Sequence, residues 1–192
     1  MSNNYTIVET SKLAAIHGGG HIYSLIADED IENGSIGYVG ELSEDVEGLE
    51  THEFKTFTAD TLGSAKAVLV ASTEWNYDEC SKKNQLLSNY INEAGIAFRA
   101  YDLAYADEFM LSDTGFDATG VESLAKGQYV ILAADSTKLK VVATETETAD
   151  AYFVGKIIGT ANRGYGWETK SNNTYGNFRK MYLVKVMKNE LK

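Results

Sequence analysis

The sequence predicts a mainly β protein, an antiparallel β-barrel or sandwich with one helix and an extended N-terminal arm. Three observations lead there. Short runs rich in Val, Ile, Leu, Tyr and Phe recur along the chain, punctuated by Gly, Asn and Asp. One segment alone carries apolar residues at helical spacing. No proline occurs in the 192 residues, so no run is barred from a central strand, and Gly, Asn and Asp carry the turns.

The elements follow in order. Tyr5-Thr6-Ile7-Val8 has strand propensity, and Leu13-Ala14-Ala15-Ile16 reads as a short helical turn. His17-Gly18-Gly19-Gly20-His21 then reads as a flexible joint, since consecutive glycines lose the most backbone entropy on ordering. The expected organisation is an arm and glycine joint over 1–20 and a single β-rich domain over 21–192, with a helical insertion at 75–95. Ile22 to Ala27 and Ile36 to Val39 are strands around an acidic turn, Asp28 to Gly34. His52 to Thr58 is a half-exposed strand, and Ala67-Val68-Leu69-Val70-Ala71 is the most buried-looking run. Leu86, Leu87, Tyr90 and Ile91 lie three and four apart, predicting the one helix within Glu79 to Glu93, ended by Gly95.

Strand signals return at Ile96 to Tyr101 and Glu108 to Leu111. Gln128–Ala133, Leu139–Ala143, Tyr152–Ile158 and Met181–Val186 follow with no helix between them. Together with Ala67–Ala71 they are expected to form the barrel-like core. Gly159 to Asn177, rich in Gly, Asn and aromatics, reads as a long loop.

Composition narrows the function. The formal net charge of −11 opposes non-specific attachment to nucleic acid or to an anionic membrane. Cys80 is the single cysteine, so no intrachain disulfide can form, which fits assembly in a reducing compartment. Met1-Ser2-Asn3-Asn4 lacks the basic and apolar regions of a signal peptide, and no apolar run reaches membrane-spanning length.

Several residues invite a chemical reading. His17 and His21 are four apart, but three glycines between them argue against a shared helical face, and a metal site needs more ligands. Gly18-Gly19-Gly20 lacks the lysine and hydroxyl of a phosphate loop. Glu74, Asp78 and Glu79 beside Trp75 and Tyr77 are explained by a helix N-terminus, which favours carboxylates. Asp135 and Thr144 to Asp150 do not match a calcium loop. Gly164-Tyr165-Gly166-Trp167 and Tyr175-Gly176-Asn177-Phe178 set large rings among small residues, as binding anchors or as a plug over one end of a barrel. No nucleophile elbow or framed carboxylate pair is present, so neither catalytic residues nor cofactors are expected.

The run Ala67-Val68-Leu69-Val70-Ala71-Ser72-Thr73-Glu74-Trp75-Asn76-Tyr77-Asp78-Glu79 resembles a motif in structural proteins of tailed bacteriophages of Gram-positive hosts. The resemblance continues through Asn92 to Tyr101 and Ala106-Asp107-Glu108-Phe109. It returns in Lys126-Gly127-Gln128-Tyr129-Val130, Lys138-Leu139-Lys140-Val141 and Phe153-Val154-Gly155-Lys156-Ile157. That order is similar to the small β-barrel domains of capsid decoration and other auxiliary head proteins, and covers about two thirds of the chain.

The resemblance implies a non-enzymatic virion protein on the head surface, assembled in the host cytoplasm. Its implied partner is the major capsid protein. It also implies a homo-oligomer, a trimer by match to local shell symmetry, with no nucleic acid or membrane partner. Another capsid or tail component, or a carbohydrate-binding host-attachment module, are the competing readings. Tyr5, Ile7 and Val8 of the arm are candidate partner-binding residues because a free strand can add to a sheet edge. Tyr165, Trp167, Tyr175 and Phe178 are candidates because of their rings.

Overall fold

The computed structural model describes residues 4–44, 50–75, 80, 86–119, 121–168 and 174–192, with 164–168 and 174–178 described at the level of the backbone. Among the described residues twelve strands form two sheets, mostly antiparallel. Five of them, β2 (Ile22–Ile26), β4 (Thr51–Lys55), β3 (Ile36–Leu42), β5 (Val68–Val70) and β6 (Phe98–Asp102), close into a barrel in that order. The other seven form a sheet in the order β1 (Val8–Lys12), β7 (Glu108–Ser112), β12 (Thr174–Asn189), β11 (Phe153–Glu168), β9 (Tyr129–Ile131), β10 (Leu139–Val142) and β8 (Phe116–Asp117). Two pairings are parallel, β2 with β4 and β10 with β8.

The barrel is therefore not where the sequence places it. Of the five runs expected to build it, Val68–Val70 alone is a barrel strand, and the other four lie in the open sheet. The reason is visible in β5. Val68 and Val70 point into the barrel with Leu25, Phe54, Phe98 and Ala100, while Leu69 joins the core against the open sheet. A strand buried on both faces reads as a continuous apolar run and does not announce which sheet it joins. Inside the barrel Phe54 and Phe98 meet edge to face at 5.7 Å. Gly37 is required there, because a Cβ would sit 2.5 Å from the Phe54 ring and 2.6 Å from the Lys55 carbonyl oxygen.

The barrel's outer side and the inner face of the open sheet share one core. Ile36, Phe57, Leu69 and Tyr101 pack with Phe109, Leu111, Val130, Ile157, Val184 and Val186. Polar ties cross the same boundary. Asn189 at the end of β12 accepts from the Ala67 amide at 3.0 Å, and donates to the carbonyls of Ala67 at 3.0 Å and Leu103 at 2.8 Å. The Ile36 amide donates to the Thr137 carbonyl, and the Asp135 amide to that of Phe57.

The N-terminal segment is not a separate arm. β1 pairs antiparallel with β7, and Leu13 is fully buried in the shared core beside Val8 and Ala15. Thr6 donates its amide and its hydroxyl to the Glu32 carboxylate, at 3.0 and 2.9 Å. The buried Asp107 carboxylate accepts from the Ala14 and Ala104 amides, both at 2.8 Å. The triple glycine is a packed turn. Gly18 takes the left-handed conformation at φ 82° and closes a 3-10 turn, Ala14–His17. Gly19 and Gly20 lie so close to Ala14 and Ala15 that an added Cβ would be 3.1 and 3.3 Å from their atoms.

The expected helix also differs. Its described end, Leu87–Asn89, is a single 3-10 turn, and Tyr90 leaves it in an extended conformation. Residues 76–79 and 81–85 of that segment lie outside the described residues. No helix among the described residues is long and apolar enough to cross a membrane.

Candidate interaction surface

The region read as a loop over Gly159 to Asn177 is the outer part of a β-hairpin. β11 and β12 are each 16 residues long and pair with one another from Phe153↔Asn189 to Glu168↔Thr174. Near its root the hairpin has neighbours on both sides, β9 along Val154 to Lys156 and β7 along Met181 to Lys185. From Asn162↔Lys180 outward, seven register pairs remain for which no other strand of the described residues supplies a partner. At the usual rise per residue that ribbon is about 24 Å long.

Exposure shows where it leaves the body. Tyr182, Val184 and Val186 of β12 face the core and are buried. Continuing that face outward, Lys180 and its register partner Asn162, with Thr160, are exposed. The core face has therefore lost its cover by that point. The root itself is fixed. Arg163 donates from Nε and Nη2 to the two oxygens of the Glu9 carboxylate at 2.7 and 3.1 Å, a forked ion pair between the ribbon and β1. Beside it Lys12 pairs with Glu108 at 2.7 Å.

Strand alternation sorts the ribbon's residues. Arg163, Tyr165 and Trp167 share one face with their register partners Arg179, Asn177 and Tyr175. Gly164, Gly166 and Gly176 occupy the other, with Phe178 opposite Gly164. The ribbon is also basic. Among its described residues Arg163, Arg179 and Lys180 stand against a single acid, Glu168, in a chain whose net charge is −11.

Of the expected partner-binding residues, the two groups thus separate. Tyr5, Ile7 and Val8 are built into the body: the Tyr5 amide donates to the Ser88 carbonyl, the Ile7 amide to Ser112 Oγ, and Val8 pairs with Leu111. Tyr165, Trp167, Tyr175 and Phe178 lie together on the ribbon. Sequence reading missed Leu42, which is 58% exposed at the outer end of the β3–β4 hairpin among the exposed Glu41, Glu44 and Glu50. Its signal was an apolar residue inside an acidic run.

The residues with chemical appeal do not converge. His17 bonds the Ser11 carbonyl, and His21 sits against the Tyr23 ring. No group of three or more His, Cys, Asp or Glu among the described residues is placed to hold a metal ion. An open cleft of about 500 Å3 runs between Tyr23, Ser72, Tyr90 and Arg99, and a second of about 300 Å3 adjoins it past Tyr90 and Phe98 to Trp75. Burial raises the Glu74 carboxyl above its ordinary pKa, against a hydrogen bond from Asn33. Burial likewise raises the Tyr90 phenol, with Glu74 and Glu93 adding to the rise. Asn33 is spent on the Ser72 backbone and on Asn92, so this network holds the loops together.

No family model, no curated protein and no solved structure matches the chain.

Proposed function

We propose that this chain is a non-enzymatic structural protein of a tailed-bacteriophage particle, bound to the outer surface of the head shell as a decoration protein. The observation that carries the reading is the ribbon. A body with a shared core and cross-sheet ties holds out a two-stranded hairpin whose outer half pairs with nothing else described. Two strands alone are at best marginally stable in water, and open edges invite association, so such an element serves contact with another molecule. The acidic charge of the whole supports a role that avoids packaged nucleic acid. The resemblance of Ala67–Glu79, Asn92–Tyr101, Ala106–Phe109, Lys126–Val130, Lys138–Val141 and Phe153–Ile157 to phage head proteins supports the particle as the setting.

Cryo-electron imaging of purified particles, with peptide counting against the shell protein, tests this. A copy number near that of the shell protein is the expected result, and absence from purified particles refutes it. A second reading, a carbohydrate-binding host-attachment module, draws on Trp75, 64% exposed at the edge of the open cleft. A glycan array decides it: binding lost in Trp75→Ala supports it, and an empty array removes it.

A further inference from the structure

We infer that the open cleft between β2, β6 and the segment after β5 binds an acidic saccharide, with its anionic group on Arg99 and a sugar ring on Trp75. The inference rests on the second reading above, in which Trp75 meets a sugar, and it adds the charge of the ligand and the residue that recognises it. It does not depend on where the protein is mounted.

The cleft is built from described residues that are fixed before any ligand arrives. Its floor is the β2–β6 pairing, with Ser24 opposite Arg99. Ser72 closes the side: its hydroxyl accepts from the Arg99 amide at 3.0 Å, and the Ala71 amide donates to the Arg99 carbonyl at 3.0 Å. Behind Ser72 lie two buried amides. Asn33 bonds the Ser72 carbonyl and amide at 3.0 and 2.9 Å, and Asn92 donates to Asn33 at 3.1 Å. The Tyr90 phenol donates to Asn92 Oδ1 at 3.3 Å. This network sets Ser72 and Tyr90 in place, so binding does not have to order them.

The lining selects the ligand. Hydroxyls of Ser24, Ser72 and Thr73 and the phenols of Tyr23 and Tyr90 border the 500 Å3 cleft. Groups that both donate and accept suit a ligand rich in hydroxyls. Past Tyr90 and Phe98 the adjoining cleft changes character, with the exposed side chains of Trp75 and Ile96 as an apolar platform. A sugar offers both surfaces, C–H groups on the ring face and hydroxyls around its edge. Arg99 decides the charge. It is exposed, and no ion pair or side-chain hydrogen bond engages its guanidinium among the described residues. A guanidinium is a planar fork that takes a carboxylate or phosphate in two bonds. Glu93 lines the far cleft beside Trp75, so an anion is repelled at that end and is directed to Arg99.

An array of oligosaccharides in three arms, uronate-bearing, phosphate-bearing and neutral, tests the full chain, with calorimetry on the best binder of each arm. One or both acidic arms should bind, and the arm that binds identifies carboxylate or phosphate as the anion. The acidic binder should exceed its neutral counterpart roughly tenfold or more at about 50 mM salt, and this margin should shrink at about 500 mM. Arg99→Gln should remove the margin while leaving neutral binding unchanged. Trp75→Ala should weaken acidic and neutral binding alike. Both side chains are exposed, and melting curves matching wild type certify the fold; the wild-type comparison of acidic with neutral arms needs no variant. Neutral ligands bound as tightly as acidic ones, or acidic affinity unchanged in Arg99→Gln, overturn this inference and leave the sugar reading standing. An array empty in all three arms removes both.

Discussion

Asn189→Ala is expected to loosen the joint between barrel and sheet. The Asn189 amide group makes three hydrogen bonds, one from the Ala67 N–H and two to the carbonyls of Ala67 and Leu103. Ala67 and Leu103 are both buried, so water cannot freely replace the lost partner. At about 1 kcal/mol for each bond, rising where a buried group is left unpaired, the loss comes to about 3–5 kcal/mol. For a chain of this length, each kcal/mol shifts Tm by about 3 °C, which predicts a fall of about 9–15 °C. Asn189→Asp should do no better, because it sets a carboxylate against two carbonyl oxygens. Urea titration followed by circular dichroism gives the free energy, and thermal melting gives the shift. A cost under about 1 kcal/mol would show that the three bonds are replaceable by water and that the shared apolar core alone holds the sheets together.

Other outcomes follow from the same contacts. Leu13→Ala, at a fully buried site in the shared core, should cost about 2–5 kcal/mol in urea unfolding; a cost near zero would restore the separable arm. Gly37→Ala should cost about 1–3 kcal/mol, because the new methyl meets the Phe54 ring and the Lys55 carbonyl, and unchanged stability would show that the barrel gives way there. Glu74→Gln should raise Tm at neutral pH. Burial raises the folded pKa of Glu74 above 4.5, so its contribution is fully present below 4.5 and is lost as pH rises through the folded value. Gln keeps an acceptor for Asn33 and never ionises, so the gain should shrink to nothing as pH falls below 4.5. A gain that does not vary with pH refutes that cause.

Most strands were legible because their local pattern carries them. Val68–Val70, Tyr129–Ile131, Leu139–Val142 and the inner parts of β11 and β12 are apolar runs whose burial needs no knowledge of the partner. Partition between sheets was not legible, since Leu69 and its neighbours Val68 and Val70 serve two different cores from one strand. β1 hid for a different reason. Val8 is its one buried residue, and Ser11 and Lys12 face solvent, so five residues present almost no inward pattern. What secures that segment is distant in sequence: Glu32, Asp107 and Ser112 receive its backbone and side-chain donors.

The ribbon was read as a loop because its glycines and asparagines are poor strand formers by propensity. Propensity for strands measures fit to a half-buried pleated surface, and the outer ribbon has no such surface within its own chain. Its residues obey the alternation of a strand all the same, with Tyr165, Trp167 and Tyr175 at positions of one face and Gly164, Gly166 and Gly176 at positions of the other. A segment that keeps strand register without the burial that normally supports it is a local inconsistency, and such inconsistencies concentrate where a sequence answers to something outside itself. The body can be accounted for from its own contacts. The outer ribbon cannot, because from Asn162↔Lys180 outward no other strand of the described residues pairs with it.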